Sequence, residues 1–140
     1  MIYVLFFGKN LYFCSVEAIK IDNTNCVIYV GECFTVEWYY EESGYSQAYE
    51  YFLTTSDIQK RKFLILVKRI ADFGKIFDIT KFRNEGDNIY AFKPQPDRYL
   101  SFFIAGRKII VTNGFCKKTD KLPESEKELA LLYRNNYLKR

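Results

Sequence analysis

A chain of 140 residues has room for one domain and needs no second. Its 49% hydrophobic and 27% charged residues exclude the disordered and fibrous classes, while 19% aromatics supply flat side chains for a core or for a wet binding surface. The net charge of +4 is unevenly spread: residues 1–33 carry Lys9 and Lys20 against Glu17, Asp22 and Glu32, or −1, which leaves +5 on the remainder.

Residues 1–33 read as short strands, Ile2–Phe7, Leu11–Val16, Ala18–Ile21 and Cys26–Val30. Turn chemistry separates them at Gly8-Lys9-Asn10 and Asp22-Asn23-Thr24-Asn25. One or two hairpins are expected, an N-terminal β extension to a main domain over residues 34–140. The extension either covers a sheet edge and recruits a partner or is decoration. The apolar run Ile2–Phe7 is too short for a signal sequence or a membrane span, so a soluble, cytoplasmic protein with no membrane partner is expected. Cys14, Cys26, Cys33 and Cys116 show no C-x-x-C spacing and there is no histidine. No metal and no cofactor is therefore expected, and the cysteines read as buried hydrophobes in a reducing compartment.

Phe34–Tyr40 alternates as a strand and ends at Gly44. Ser46 is placed to cap a short helix through Leu53, with Tyr49 and Phe52 inward. Ser56 or Asp57 starts the longest helix, running to about Phe73, where Phe63, Leu66, Ile70 and Phe73 form the inward stripe and Gly74 the C′ stop. Lys60, Arg61 and Lys68 fall on its other side, open either to phosphates or to solvent.

Lys75–Glu85 is a connection carrying Lys81 and Arg83. A meander follows, Ile89–Lys93, Tyr99–Ile104 and Lys108–Thr112, with hairpin punctuation at Ala105-Gly106. Pro94-Gln95-Pro96 must form a loop or bulge because neither proline donates to a ladder, and it sets Lys93 and Arg98 on either side of one kink. A terminal helix is expected after Lys117-Lys118, capped by Thr119 or Asp120, with Pro123 near N1. Leu129, Leu132, Tyr133 and Tyr137 share one of its faces. The class is α+β: an antiparallel or mixed sheet, two helices packed on it and a C-terminal helix. Lys93, Arg98, Arg107, Lys108, Lys117 and Lys118 outnumber Asp87, Asp97 and Asp120 along the meander, an excess that suits a polyanion. Tyr90, Tyr99, Phe102, Phe103 and Phe115 fit either a core or base stacking.

From Phe34 onward the chain resembles the phage-related HigB-like branch of the RelE/ParE superfamily, toxins of type II toxin–antitoxin pairs. The resemblance rests on Phe34–Tyr40 with Gly44 and Tyr49–Leu53 (YEYFL), on Ile89–Pro94 with Arg98, and above all on Gly114-Phe115-Cys116-Lys117-Lys118-Thr119 leading to Pro123. It implies a RelE-like sheet and a ribosome-dependent mRNA endoribonuclease that uses the substrate 2′-OH as nucleophile, with mRNA, the ribosome and a cognate antitoxin protein as partners. Lys93, Arg98 and Lys117 match the family's basic residues: Arg98 to grip the scissile phosphate, the lysines to stabilise charge or transfer a proton. Asp97 and Asn113 stand where this branch commonly has histidines. Asn113 is then a candidate to hydrogen-bond a base or phosphate, or a structural residue. Asp97 beside Arg98 is expected as a surface ion pair. Tyr90 and Tyr133 are candidates to stack on or donate to RNA, with a core role as the alternative, and Lys81, Arg83, Arg107, Lys108 and Lys118 are candidates to line its path. The superfamily also contains ParE-type inhibitors of DNA gyrase, and an inactive phage-related protein of the same fold is a third reading.

Overall fold

The computed structural model describes residues 2–7, 10–15 and 26–140. Strands β1 (Ile2–Phe7) and β2 (Asn10–Ser15) pair antiparallel as a two-stranded sheet. The strand expected at Ala18–Ile21 and the turn at residues 22–25 lie outside the described residues.

The main sheet has six strands in the order β3-β4-β8-β7-β6-β5. These are β3 (Val27–Val30), β4 (Thr35–Trp38), β5 (Phe82–Asn84), β6 (Tyr90–Phe92), β7 (Asp97–Ile104) and β8 (Lys108–Cys116). Neighbours run antiparallel except β4 and β8, which are parallel. The sheet is therefore mixed, one of the two forms the α+β reading allows. β3 pairs with β4 and so forms an edge of this main sheet. β5, read from sequence as part of a connection, is the opposite edge, three residues long and too short to show an alternating pattern.

Helices α1 (Gln47–Thr54) and α2 (Asp57–Phe73) cover one face, and α3 (Glu124–Leu138) covers the other. The caps work as the sequence suggests: the Ser46 and Ser56 hydroxyls accept from the amides of Tyr49 and Gln59, and Gly74 closes α2 at φ 76°. The N-cap of α3 is Pro123, with no side-chain cap bond, rather than Thr119 or Asp120. Trp38, Phe52, Phe63 and Tyr99 make the aromatic centre beneath α1 and α2, with the Phe63 and Tyr99 rings stacked at 4.0 Å. Tyr39, Leu100 and Ile110 pack under α3 against its Tyr133 and Ala130. Period-two alternation thus feeds two cores from one set of strands.

Five expectations are corrected. Phe73 is 75% exposed because it falls on the outward side of α2, while Ile70 and Ala71 of the same turn take the inward positions, and Leu132 is 53% exposed while Ala130 takes the inward position. Lys60 is buried, not solvated: its ammonium donates to the carbonyls of Thr55 (2.5 Å) and Leu53 (3.4 Å), at the negative end of α1. Cys116 is exposed, at the end of β8, and is not a buried hydrophobe. The ladder also outlasts the expected stop at Thr112. A bulge lets Leu100 face Asn113 and Ser101 face Val111, with Thr112 the extra residue, and pairing resumes to Cys116.

That bulge decides the site. It shifts the alternation of β8 by one residue, so Phe115, opposite Arg98, joins the α3 face and Gly114 turns to the α1 face. Among the described residues no helix is long and apolar enough to cross a membrane.

Candidate functional site

Lys93 follows β6, Arg98 is the second residue of β7 and Lys117 follows β8, so three adjacent strands deliver one cation each to the same end of the sheet. All three line a narrow cleft with Glu85, Phe115, Asp120 and Lys121. The four cations and two carboxylates in this lining leave it net positive. The cleft measures about 20 Å³, room for little more than one water molecule.

Each cation is held differently. Lys93 is 7% exposed, and its ammonium lies 3.2 Å from a Glu85 oxygen whose partner oxygen takes Arg83 at 3.0 Å. Burial works to raise the Glu85 carboxyl, but the hydrogen bonds from Arg83 and Lys93 win and hold it below the ordinary carboxylate range. Lys117 pairs at 2.8 Å with Asp120, which is fully exposed and whose carboxyl that bond lowers. Arg98 is 8% exposed, and one of its nitrogens donates to Gln95 Oε1 (3.1 Å) and to the Asp97 carbonyl (3.0 Å). Among the described residues no carboxylate forms an ion pair with it. Burial pushes its pKa down, with Glu85 the largest opposing influence, and a guanidinium stays charged through such a shift. A buried, positioned guanidinium with no bound carboxylate is costly unless it serves an anion from outside.

Asp97 does not make the expected ion pair with Arg98. Successive residues of a strand point to opposite faces, and the Asp97 carboxylate lies on the α1–α2 side, 4% exposed. It accepts from the Tyr51 hydroxyl (2.5 Å) and the Gln59 amide (2.8 Å), and so does not neutralise Arg98 by direct contact.

The other sequence candidates separate by place. Asn113 is fully buried: its amide donates to the Glu126 carboxylate (2.8 Å) and carbonyl (3.1 Å), and its oxygen accepts from Thr112 (2.7 Å). It ties β8 to the first turns of α3 and does not line the cleft. Tyr133 is 4% exposed and stacked on Tyr39 at 4.5 Å, a core role. Tyr90 is half-buried on the opposite face, packed between Phe82 and Phe103. Arg83 borders the cleft through Glu85, Lys118 is an exposed neighbour of Lys117, and Lys81 sits across the sheet edge near Pro94 and Gln95. Arg107 and Lys108 stand at the far end of β7 and β8, six ladder positions or roughly 20 Å away, with Lys108 paired to Glu37 at 3.3 Å.

Sequence reasoning missed Glu85, Gln95 and Asp120. Polar residues in turns carry no periodic signal, and only the folded ladder brings Glu85 to Lys93. Gly114, by contrast, was legible in its motif. A Cβ there would sit 2.8 Å from ring carbons of both Tyr51 and Tyr99, and its amide and carbonyl are clasped by the Gln47 side chain at 2.6 and 2.8 Å. The motif glycine lets β8 press onto α1 while the residues after it enter the cleft.

The model of the family described as Phage derived protein Gp49-like (DUF891) matches residues 50–134, from α1 into α3 and across the whole cleft. The chain belongs to this family. Gp49-like proteins are a RelE-like, toxin-like group of phage derivation, in keeping with the sheet and helices described above. No curated protein matches the chain significantly. In this Gp49-like chain the matched span carries Lys93, Arg98 and Lys117, whereas β3 and β4 precede it.

Proposed function

We propose that this Gp49-like protein is the toxin of a type II toxin–antitoxin pair, of the HigB-like kind, and that it cleaves messenger RNA on the ribosome in the cytoplasm. One observation carries the reading: three strands converge Lys93, Arg98 and Lys117 on one cleft, where Arg98 is buried with no ion-paired carboxylate among the described residues. The functional unit is assigned to residues 34–140, with residues 1–33 as its extension.

The reaction needs no nucleophile from the protein. The 2′-oxygen attacks the adjacent phosphorus, the bond to the 5′-oxygen breaks, and the products are a 2′,3′-cyclic phosphate and a 5′-hydroxyl. Solvent water takes the proton lost from the 2′-OH and the 5′-oxygen gains one from a lysine ammonium that solvent then reprotonates, so the proton count is unchanged. Arg98 offers a planar fork to two phosphate oxygens, and its hold on Gln95 and the Asp97 carbonyl orients that fork before substrate arrives. Lys93 and Lys117 stabilise the added negative charge, and the partly exposed Lys117 protonates the leaving oxygen in this reading. The cleft opens at Asp120: its pair with Lys117 lies at the surface, where exchanging a carboxylate for a phosphate is cheap.

The test is induced expression with and without the adjoining gene, followed by mapping of transcript 5′ ends. New ends inside reading frames are expected, and Arg98→Ala should reduce them by at least about a hundredfold while the protein stays folded. A fully toxic Arg98→Ala variant refutes the assignment. Arrest with intact transcripts points instead to a ParE-like gyrase inhibitor, and no arrest points to an inactive relative.

A further inference from the structure

β1, which lies outside the main sheet, touches α2, yet a stripe along the side of α2 turned away from the sheet stays open and is not an ordinary solvated helix surface. Ile58, Lys62, Ile65, Arg69 and Phe73 recur at intervals of three and four residues, and all five are exposed. Apolar and basic side chains thus alternate along a stripe roughly 24 Å long. Past Gly74 the pattern continues in Phe77, 87% exposed, and Ile79, 63% exposed. These two border an open groove of about 630 Å³ with Phe82, Tyr90 and Phe103 at its floor and Lys75 and Arg83 at its rim. A second depression of about 200 Å³ lies along Ile65 and Lys81. Among the described residues Lys62, Arg69, Lys75 and Lys81 form no ion pair. Asp78 is the acid nearest Lys81 and Arg69, and it is bonded to Thr80.

Large apolar side chains left in water beside unpaired cations mark a protein-docking surface, and the chemistry selects the occupant. A second copy of this chain would bring the same cations against these. Nucleic acid would satisfy the cations but leave Phe73, Phe77 and Ile79 without apolar partners. A segment that carries carboxylates and large apolar side chains satisfies both.

We propose that the outer face of α2 and the adjoining β5–β6 groove dock an acidic, amphipathic segment of the neutralising partner, away from the cleft. The partner's existence rests on the toxin reading, but the location does not use the cleft. The surface nevertheless adjoins it at two points. Gln95 borders the smaller depression and holds Arg98, and Arg83 rims the groove and shares Glu85 with Lys93. A segment seated here therefore touches Gln95, which holds Arg98, and Arg83, which shares Glu85 with Lys93.

The chain is co-expressed with the product of the adjoining gene, and the purified complex is compared with the free chain by hydrogen exchange and titration. Protection of residues 58–84 is expected, and Phe73→Asp with Phe77→Asp should weaken the complex on the order of a hundredfold. Both residues are exposed, so the fold should survive, and Arg98→Ala should bind the partner as tightly as the parent. The double variant should still arrest growth but escape neutralisation. Protection confined to the cleft, unchanged affinity in the double variant, or a dimer of the chain alone that the same substitutions dissolve would each overturn the proposal. Arrest without any complex also overturns it while leaving the toxin reading intact. A complex protected over 58–84 without arrest supports the surface and refutes the toxin reading.

Discussion

Asn113→Ala separates an anchoring role from a catalytic one. The wild-type amide makes one hydrogen bond to the Glu126 carboxylate, one to the Glu126 carbonyl and one from the Thr112 hydroxyl, all in a fully buried setting. A bond to a charged group contributes about 1.5–3 kcal/mol and a neutral one about 0.5–1.5 kcal/mol. Since the three share a single side chain and are not additive, the substitution should cost about 3 kcal/mol in all. In a domain of this size that lowers the melting temperature by about 10 °C. Urea unfolding should show the loss as a shifted midpoint at constant slope. Below the transition, affinity for a short deoxyribo-oligonucleotide, which cannot be cut, should match that of the parent, because Asn113 does not line the cleft. Asn113→Asp is the sharper variant: it keeps the shape but sets a carboxylate against Glu126, and should cost at least as much. An unchanged midpoint combined with lost RNA cutting would refute the anchoring role and return Asn113 to the reaction.

Other outcomes follow from the same contacts. Lys60→Met keeps the stem but deprives the end of α1 of its cation, and should cost about 1–2 kcal/mol by thermal melting, whereas the exposed Arg61→Ala should stay within about 0.5 kcal/mol. Gly114→Ala forces a methyl against Tyr51 and Tyr99 and should cost about 1–3 kcal/mol; a neutral result would mean that the α1 interface gives way easily. Glu85 has a depressed folded pKa, so its contribution is present above the unfolded carboxylate value of about 4.3 and is lost as pH falls through the lower folded value. Glu85→Gln should therefore flatten the acid limb of a stability–pH curve while losing stability near neutrality. An acid limb identical to the parent's would show that the pairs with Arg83 and Lys93 contribute nothing.

Local signals carried far in this chain. Ser46, Ser56 and Gly74 bound α1 and α2 because caps and left-handed stops depend on a few adjacent residues. The strands of the meander were readable from their β-branched and aromatic runs, and the Gly-Phe-x-Lys-Lys-Thr stretch marked the entry to the cleft. What sequence could not show was which side of a sheet each side chain would take. Lys60 reads as a surface residue until the end of α1 folds over it. Asp97 and Arg98 are neighbours in the chain, yet the pleat sends one to Tyr51 and Gln59 and the other to the cleft. Asn113 beside the motif looked chemical, but the bulge at Thr112 turns it under α3. By itself, then, the sequence determined the α+β class, the order of most elements and the three cations of the candidate site, since these follow from short-range pattern. Ladder register and the packing of helices on both faces decided the rest, because only pairing across the sheet converts separation along the chain into distance in space.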